Sequence, residues 1–180
     1  MMKRTKLNFN LSSLIFHLSS RDGFTLVELI VVISVAAVVS VIGIAAFVSY
    51  NQTQSLNTTA ADIANMFSVA KSRAASGVKP TTCSGSLDGY EIRLCGLSGS
   101  TCINSTSANY ELDVRCNGLV APPPMLTGKF PTNITFDIST SSRIFSFAVL
   151  TGGFSQAGTI VLTGFGKSKS ITVDSLGNAR

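Results

Sequence analysis

Arg21-Asp22-Gly23-Phe24-Thr25-Leu26-Val27-Glu28-Leu29-Ile30 opens an apolar run that continues to Val48. Between Phe24 and Val48 the one ionisable side chain is Glu28 and there is no proline. At about 1.5 Å per residue, the run predicts an uninterrupted helix long enough to cross a hydrocarbon core. It contains sixteen Val, Ile, Leu or Phe residues. At roughly 0.3–0.6 kcal/mol each they favour insertion by about 5–10 kcal/mol, and a carboxylate opposes it by at most about 3 kcal/mol. Insertion wins, so the stretch reads as a membrane anchor. Its lone carboxylate still needs an explanation, because charges inside membrane helices face a partner rather than lipid.

A basic leader, then Gly23-Phe24-Thr25-Leu26-Val27-Glu28, then a long apolar run: this order resembles the class III signal of type IV pilins and type II secretion pseudopilins. In that family a prepilin peptidase cuts after the glycine and methylates the new N-terminal residue. The resemblance therefore implies cleavage between Gly23 and Phe24 and an N-methyl-Phe24. It also implies that Glu28 pairs with the N-terminal amine of a neighbouring subunit during assembly. The partners implied are the peptidase, other pilin or pseudopilin subunits, the inner-membrane assembly platform and membrane lipid. The physics agrees. A buried carboxylate without a counter-charge is costly, no cation lies within reach on its own helix, and Arg21 would leave with the leader. A new amine at Phe24 supplies the missing charge in trans and ties subunit addition to proteolysis.

The chain has 180 residues and a formal charge of +5. Lys3, Arg4, Lys6 and Arg21 against Asp22 place +3 of it in the leader. The remaining +2 is too small to demand a nucleic-acid partner by itself. Basic residues ahead of the span favour a cytoplasmic N-terminus, with everything after Val48 on the other side. The expected location is thus the inner membrane in single-pass form, then a pilus or pseudopilus. Leu7 to Leu18 is moderately apolar, but no small-x-small cleavage site follows it, which argues against an ordinary secretory peptide.

Cys83, Cys95, Cys102 and Cys116 all fall in the exported portion, where an even number reads first as two disulfides. Three pairings are open. Cys83 with Cys95 and Cys102 with Cys116 is favoured because each closes a short loop. A four-thiolate zinc site competes, but no C-x-x-C pair supports it.

After Val48 the pattern becomes one-sided. Leu56, Ala60, Ile63, Phe67, Ala70 and Ala74 recur at helical spacing while Asn57, Asp62, Lys71 and Arg73 fall elsewhere, predicting an amphipathic continuation that stops near Gly77. Gly43 is the one glycine inside this helix and marks a soft point. Tyr90 to Cys95 and Tyr110 to Cys116 alternate as half-buried strands. Pro122-Pro123-Pro124 is expected to break the chain. Ile134 to Ile138, Ile144 to Leu150, Thr159 to Thr163 and Ser170 to Val173 read as further short strands of a mainly antiparallel sheet. The expected fold class is α+β. Residues 1–23 form the leader, 24–48 the membrane or filament-core half of the helix, 49–76 its amphipathic half, and 77–180 a β-rich domain. That domain resembles the minor pilins of the pseudopilin H and FimT-like group, in Phe145 to Leu150, Gly158 to Leu162 and the terminal Ser170 to Arg180 hairpin.

No catalytic chemistry is visible. The one histidine, His17, sits in the expected leader, which leaves no base for a Ser-His-Asp or Cys-His mechanism. Gly166-Lys167-Ser168 ends like a phosphate-binding loop, but Val161 stands where its first glycine is needed, so it reads as a turn. Asp88, Glu91, Glu111 and Asp113 read as a solvated face. No cofactor is expected and the chain is read as a structural subunit, a minor pilin or pseudopilin. Two alternatives are a major pilin and a FimT-like minor pilin that holds DNA in natural transformation. Lys167, Lys169 and Arg180 are the candidate DNA contacts. Asn178 and Ala179 occupy places where that group carries further basic residues.

Overall fold

The computed structural model describes residues 25–95, 102–138, 143–151 and 153–180. One helix, α1 (Leu26–Ser76), precedes seven strands: β1 (Leu87–Leu94), β2 (Tyr110–Cys116), β3 (Leu119–Gly128), β4 (Ile134–Ile138), β5 (Ile144–Ala148), β6 (Gly158–Gly164) and β7 (Lys167–Val173). The chain divides into two compact units, up to Ala46 and from Phe47 onward. In the first, every described side chain from Thr25 to Ala46 is exposed, including Ile30, Val31, Val39 and Ile44. The helix passes through Gly43 without a break.

In the second unit the helix presents the stripe that its periodicity predicts. Leu56, Ala60, Ile63, Phe67, Ala70 and Ala74 are buried, joined by Thr59 and Met66. The strands form two antiparallel sheets, in the orders β3-β2-β1-β5 and β4-β6-β7. Alternation sorts their residues: Tyr90, Ile92, Leu94, Leu112, Val114, Phe145 and Phe147 of the first sheet enter the core, with Ile134, Phe136, Ile160, Leu162, Ile171 and Val173 of the second. Phe67 is the hub, edge-on to Phe145 at 5.1 Å, Phe147 at 6.3 Å and Phe154 at 6.4 Å. Tyr90 buries its ring and donates its hydroxyl to the Val78 carbonyl, which satisfies the polar tip.

The helix stops where expected. Gly77 adopts φ 62°, and its N–H and that of Leu150 both donate to the Ala74 carbonyl, at 3.3 and 3.2 Å. The proline expectation fails. Pro122-Pro123-Pro124 lies inside β3 rather than ending the chain's pairing, with a cis bond between Pro122 and Pro123. β3 is an edge strand with a register shift opposite Leu112 and Val114, so its missing N–H groups fall where no neighbour needs them.

Candidate functional site

Glu28 stands in the first turn of α1. Thr25 caps that turn: its hydroxyl accepts the Glu28 N–H at 3.2 Å and its carbonyl accepts the Leu29 N–H at 3.1 Å. Thr25-x-x-Glu28 has the capping-box spacing, a signal legible in the sequence, and the threonine half of the box is formed. The arrangement puts the carboxylate at the positive end of the helix dipole, where a negative charge is favoured by about 0.3–1 kcal/mol. Glu28 is exposed, and so is the apolar surface that follows it, which needs cover from lipid or from other helices. Gly23 and Phe24, the expected cleavage position, lie outside the described residues.

The four cysteines form two disulfides, with a pairing that corrects the expectation. Cys83 bonds Cys116 with Cα atoms 5.7 Å apart, and Cys95 bonds Cys102 with Cα atoms 5.3 Å apart. The reason lies in strand geometry. Cys83 precedes β1 and Cys95 follows it, so the eight-residue strand holds them about 25 Å apart. No disulfide spans more than about 7 Å between Cα atoms. The antiparallel register instead sets Cys116 opposite Leu87, beside Cys83. All four sulfurs are consumed in these bonds. The Cys95 and Cys102 sulfurs and a Glu111 oxygen lie within 4.8 Å of one another, but a bonded sulfur pair offers no thiolate to a metal.

The acidic residues correct a second expectation. Glu91, Glu111 and Asp113 point away from α1, as the alternation requires, yet all three are buried. The chain beyond Cys102 folds over Glu111 and Asp113. Ile103 and Asn104 donate their backbone N–H groups to the two Glu111 carboxylate oxygens at 2.6 and 3.2 Å, and the Asn104 side-chain amide donates to Asp113 at 2.9 Å. Arg93 pairs with Glu91, and its Nε lies 3.7 Å from Glu111; Arg115 reaches Glu91 at 3.5 Å. Alternation says which side of a sheet a residue takes, not what later covers that side. Asp88 alone of the four stays exposed.

One carboxylate oxygen of Asp113 has no hydrogen-bond partner among the described residues. Burial raises its pKa to about 6 from 3.8, opposed by the Asn104 amide and reinforced by Glu111. A raised carboxyl stabilises the fold in full below its unfolded value and loses that contribution as pH climbs through the folded one. Stability from Asp113 should therefore fall between about pH 4 and pH 6, by roughly 1–3 kcal/mol. Denaturation of the wild type and of Asp113→Asn across that window checks it. The variant should gain on the wild type as pH rises; parallel curves would contradict the assignment.

Two of the three basic candidates lie on β7, and the third, Arg180, pairs beside its far end. Lys167 begins β7 and turns its ammonium to α1, donating to the Ser49 carbonyl at 3.0 Å, the Ser49 hydroxyl at 3.0 Å and the Thr53 hydroxyl at 2.7 Å. Lys169 is exposed. Arg180 pairs through its backbone with Thr172, five residues beyond Lys167 and so about 16 Å along the strand. Of Gly166-Lys167-Ser168 only the glycine lies in the turn: Phe165 and Gly166 have φ of 55° and 72° between the paired Gly164 and Lys167, and Lys167 and Ser168 already belong to β7.

One long N-terminal helix followed by antiparallel sheets is the α+β arrangement of the type IV pilin-like fold. Residues 18–44 match the family model of the prokaryotic N-terminal methylation motif, the segment that holds Gly23, Phe24 and Glu28. The match supports a type IV pilin-type subunit, processed by a prepilin peptidase and assembled with other such subunits. No curated protein and no solved structure matches the chain.

Proposed function

We propose that the chain is a minor pilin or pseudopilin of the pseudopilin H and FimT-like group. It serves as a structural subunit of a type II secretion pseudopilus or a type IV pilus. Cleavage after Gly23 frees an N-methylated Phe24, the apolar half of α1 rests in the inner membrane with its N-terminus cytoplasmic, and the β-rich domain stands on the other side. Extraction then trades lipid for neighbouring helices. The observation that carries this reading is the uncovered apolar surface of α1 from Leu26 to Val48, headed by one carboxylate, Glu28, in a first turn that Thr25 caps. Such a surface is stable only in lipid or packed against its own kind. The mechanism is assembly by packing, with Glu28 setting the electrostatic register.

Deleting the chain from its host distinguishes the two machines. A secretion subunit predicts a block in protein export, and a pilus subunit predicts loss of twitching, adhesion or DNA uptake. Neither effect on deletion would remove the proposal. A DNA-holding role would have to draw on Lys169 and Arg180, since Lys167 is engaged by α1. A gel shift tests it: no retardation of duplex DNA at low salt would set that role aside.

A further inference from the structure

Helix α1 carries no basic residue before Lys71 and no acidic one between Glu28 and Asp62. Positive charge beside its change from apolar to polar surface, near Val48, comes instead from the β-rich domain. Lys167 lays its ammonium against Ser49 and Thr53. Lys169 shares its side of β7 and is exposed. Lys129 lines a groove with Asn51, Gln54, Ser55 and Thr58, whose far end, away from the apolar run, holds Asp62. At 100° per residue, Ser49 and Thr53 occupy one side of the helix and Asn51, Gln54, Ser55 and Thr58 roughly the other. Lysines thus flank the helix from two directions in the turns after the apolar run, Lys167 at Ser49 and Thr53 and Lys129 along a groove that begins at Asn51. Phe47 and Tyr50 are 65% and 66% exposed at the same level, and Phe165 lies at the tip of the β6–β7 turn.

We infer that this flank is a docking surface for anionic phospholipid headgroups, contacted by Lys129 and Lys169 with Phe47 and Tyr50 as interfacial aromatics, while Lys167, its three N–H donors held by α1, adds charge without contact. The inference rests on the membrane-anchored reading of α1 and extends it from the helix to the folded domain. Where the hydrocarbon ends near Val48, the next turns of helix lie at headgroup depth, a layer about 5–7 Å thick on each side of the bilayer. Aromatic rings belong at that level, and lysine stems reach apolar surface while their ammonium groups meet phosphate. The oxygens that hold Lys167 are neutral, so its charge is undiminished while the β6–β7 turn stays fixed beside the helix. A lysine near an anionic surface strengthens attachment by about fivefold. Leaving the bilayer for a filament would then depend on salt and on lipid charge.

The test uses the full chain in nanodiscs of phosphatidylcholine alone or of phosphatidylcholine mixed with phosphatidylglycerol. Co-elution with the discs first establishes insertion; a chain that does not co-elute overturns the anchored reading and this inference with it. For inserted chain, hydrogen exchange of the amides from 164 to 170 should be slower by about fivefold or more in the anionic discs. High salt should remove the difference. Lys129→Gln with Lys169→Gln should also remove it without affecting insertion, and neither change touches the Lys167 contacts. Equal exchange in the two lipids would overturn the inference. Protection by duplex DNA in phosphatidylcholine discs with none from phosphatidylglycerol would do so too, by assigning the lysines to nucleic acid.

Discussion

Glu28→Val is expected to leave membrane insertion and processing intact and to remove the protein from sheared filaments. On the proposed pairing, valine leaves the Phe24 amine of the neighbouring subunit buried without a counter-charge. Breaking a buried ion pair from one side costs about 3–5 kcal/mol, roughly two to three and a half orders of magnitude in an assembly equilibrium. The helix itself should hardly notice. Losing a negative charge from the capped first turn costs about 0.3–1 kcal/mol, far less than the apolar run gains from lipid. Quantifying the variant in membrane and filament fractions separates the two effects. Normal recovery in filaments would refute the pairing, and loss from the membrane fraction would show that Glu28 acts in insertion instead.

The second large effect concerns the disulfides. Cys83 and Cys116 are 33 residues apart and Cys95 and Cys102 only 7. By loop entropy the first bond contributes about 4 kcal/mol and the second about 2.5 kcal/mol. Against a total of about 5–15 kcal/mol for an ordinary domain, replacing Cys83 and Cys116 together by alanine should bring the β-rich domain close to unfolding. Replacing Cys95 and Cys102 should be milder overall but should release the turn at Ile103 and Asn104, uncovering Glu111 and Asp113. Chemical denaturation of the two double variants gives the ranking, and peptide mapping of the unreduced protein gives the pairing. A Cys83–Cys95 peptide would contradict the geometry of β1.

What the sequence shows well is whatever depends on period. The stripe from Leu56 to Ala74 lies at helical spacing, and each of its members is buried, because one helix on one core leaves no other solution. The alternation at Tyr90, Ile92 and Leu94 likewise identifies the side of β1 that meets the core. Two other features depend on what lies next to a residue in space. The cysteine pairing follows from the antiparallel register of β1 and β2, which short sequence separation does not reveal. Glu91, Glu111 and Asp113 lie on the side that alternation assigns; a loop that no local pattern announces covers Glu111 and Asp113, and Arg93 and Arg115 pair with Glu91. Pro122-Pro123-Pro124 misleads because a proline run reads as a break, whereas an edge strand tolerates it.

At the N-terminus the position is reversed. The Gly23-Phe24 step and Glu28 are legible as a motif, and residues 18–44 match the methylation-motif model, while the fold contributes the cap at Thr25 and the uncovered helix behind it. Those features matter together only if proteolysis makes the amine that Glu28 requires. Intact-mass and N-terminal analysis of the native protein measures this directly. The account predicts a chain that begins at N-methylated Phe24, lacking the preceding residues; a native chain that begins at Met1, or at any residue other than Phe24, would contradict it.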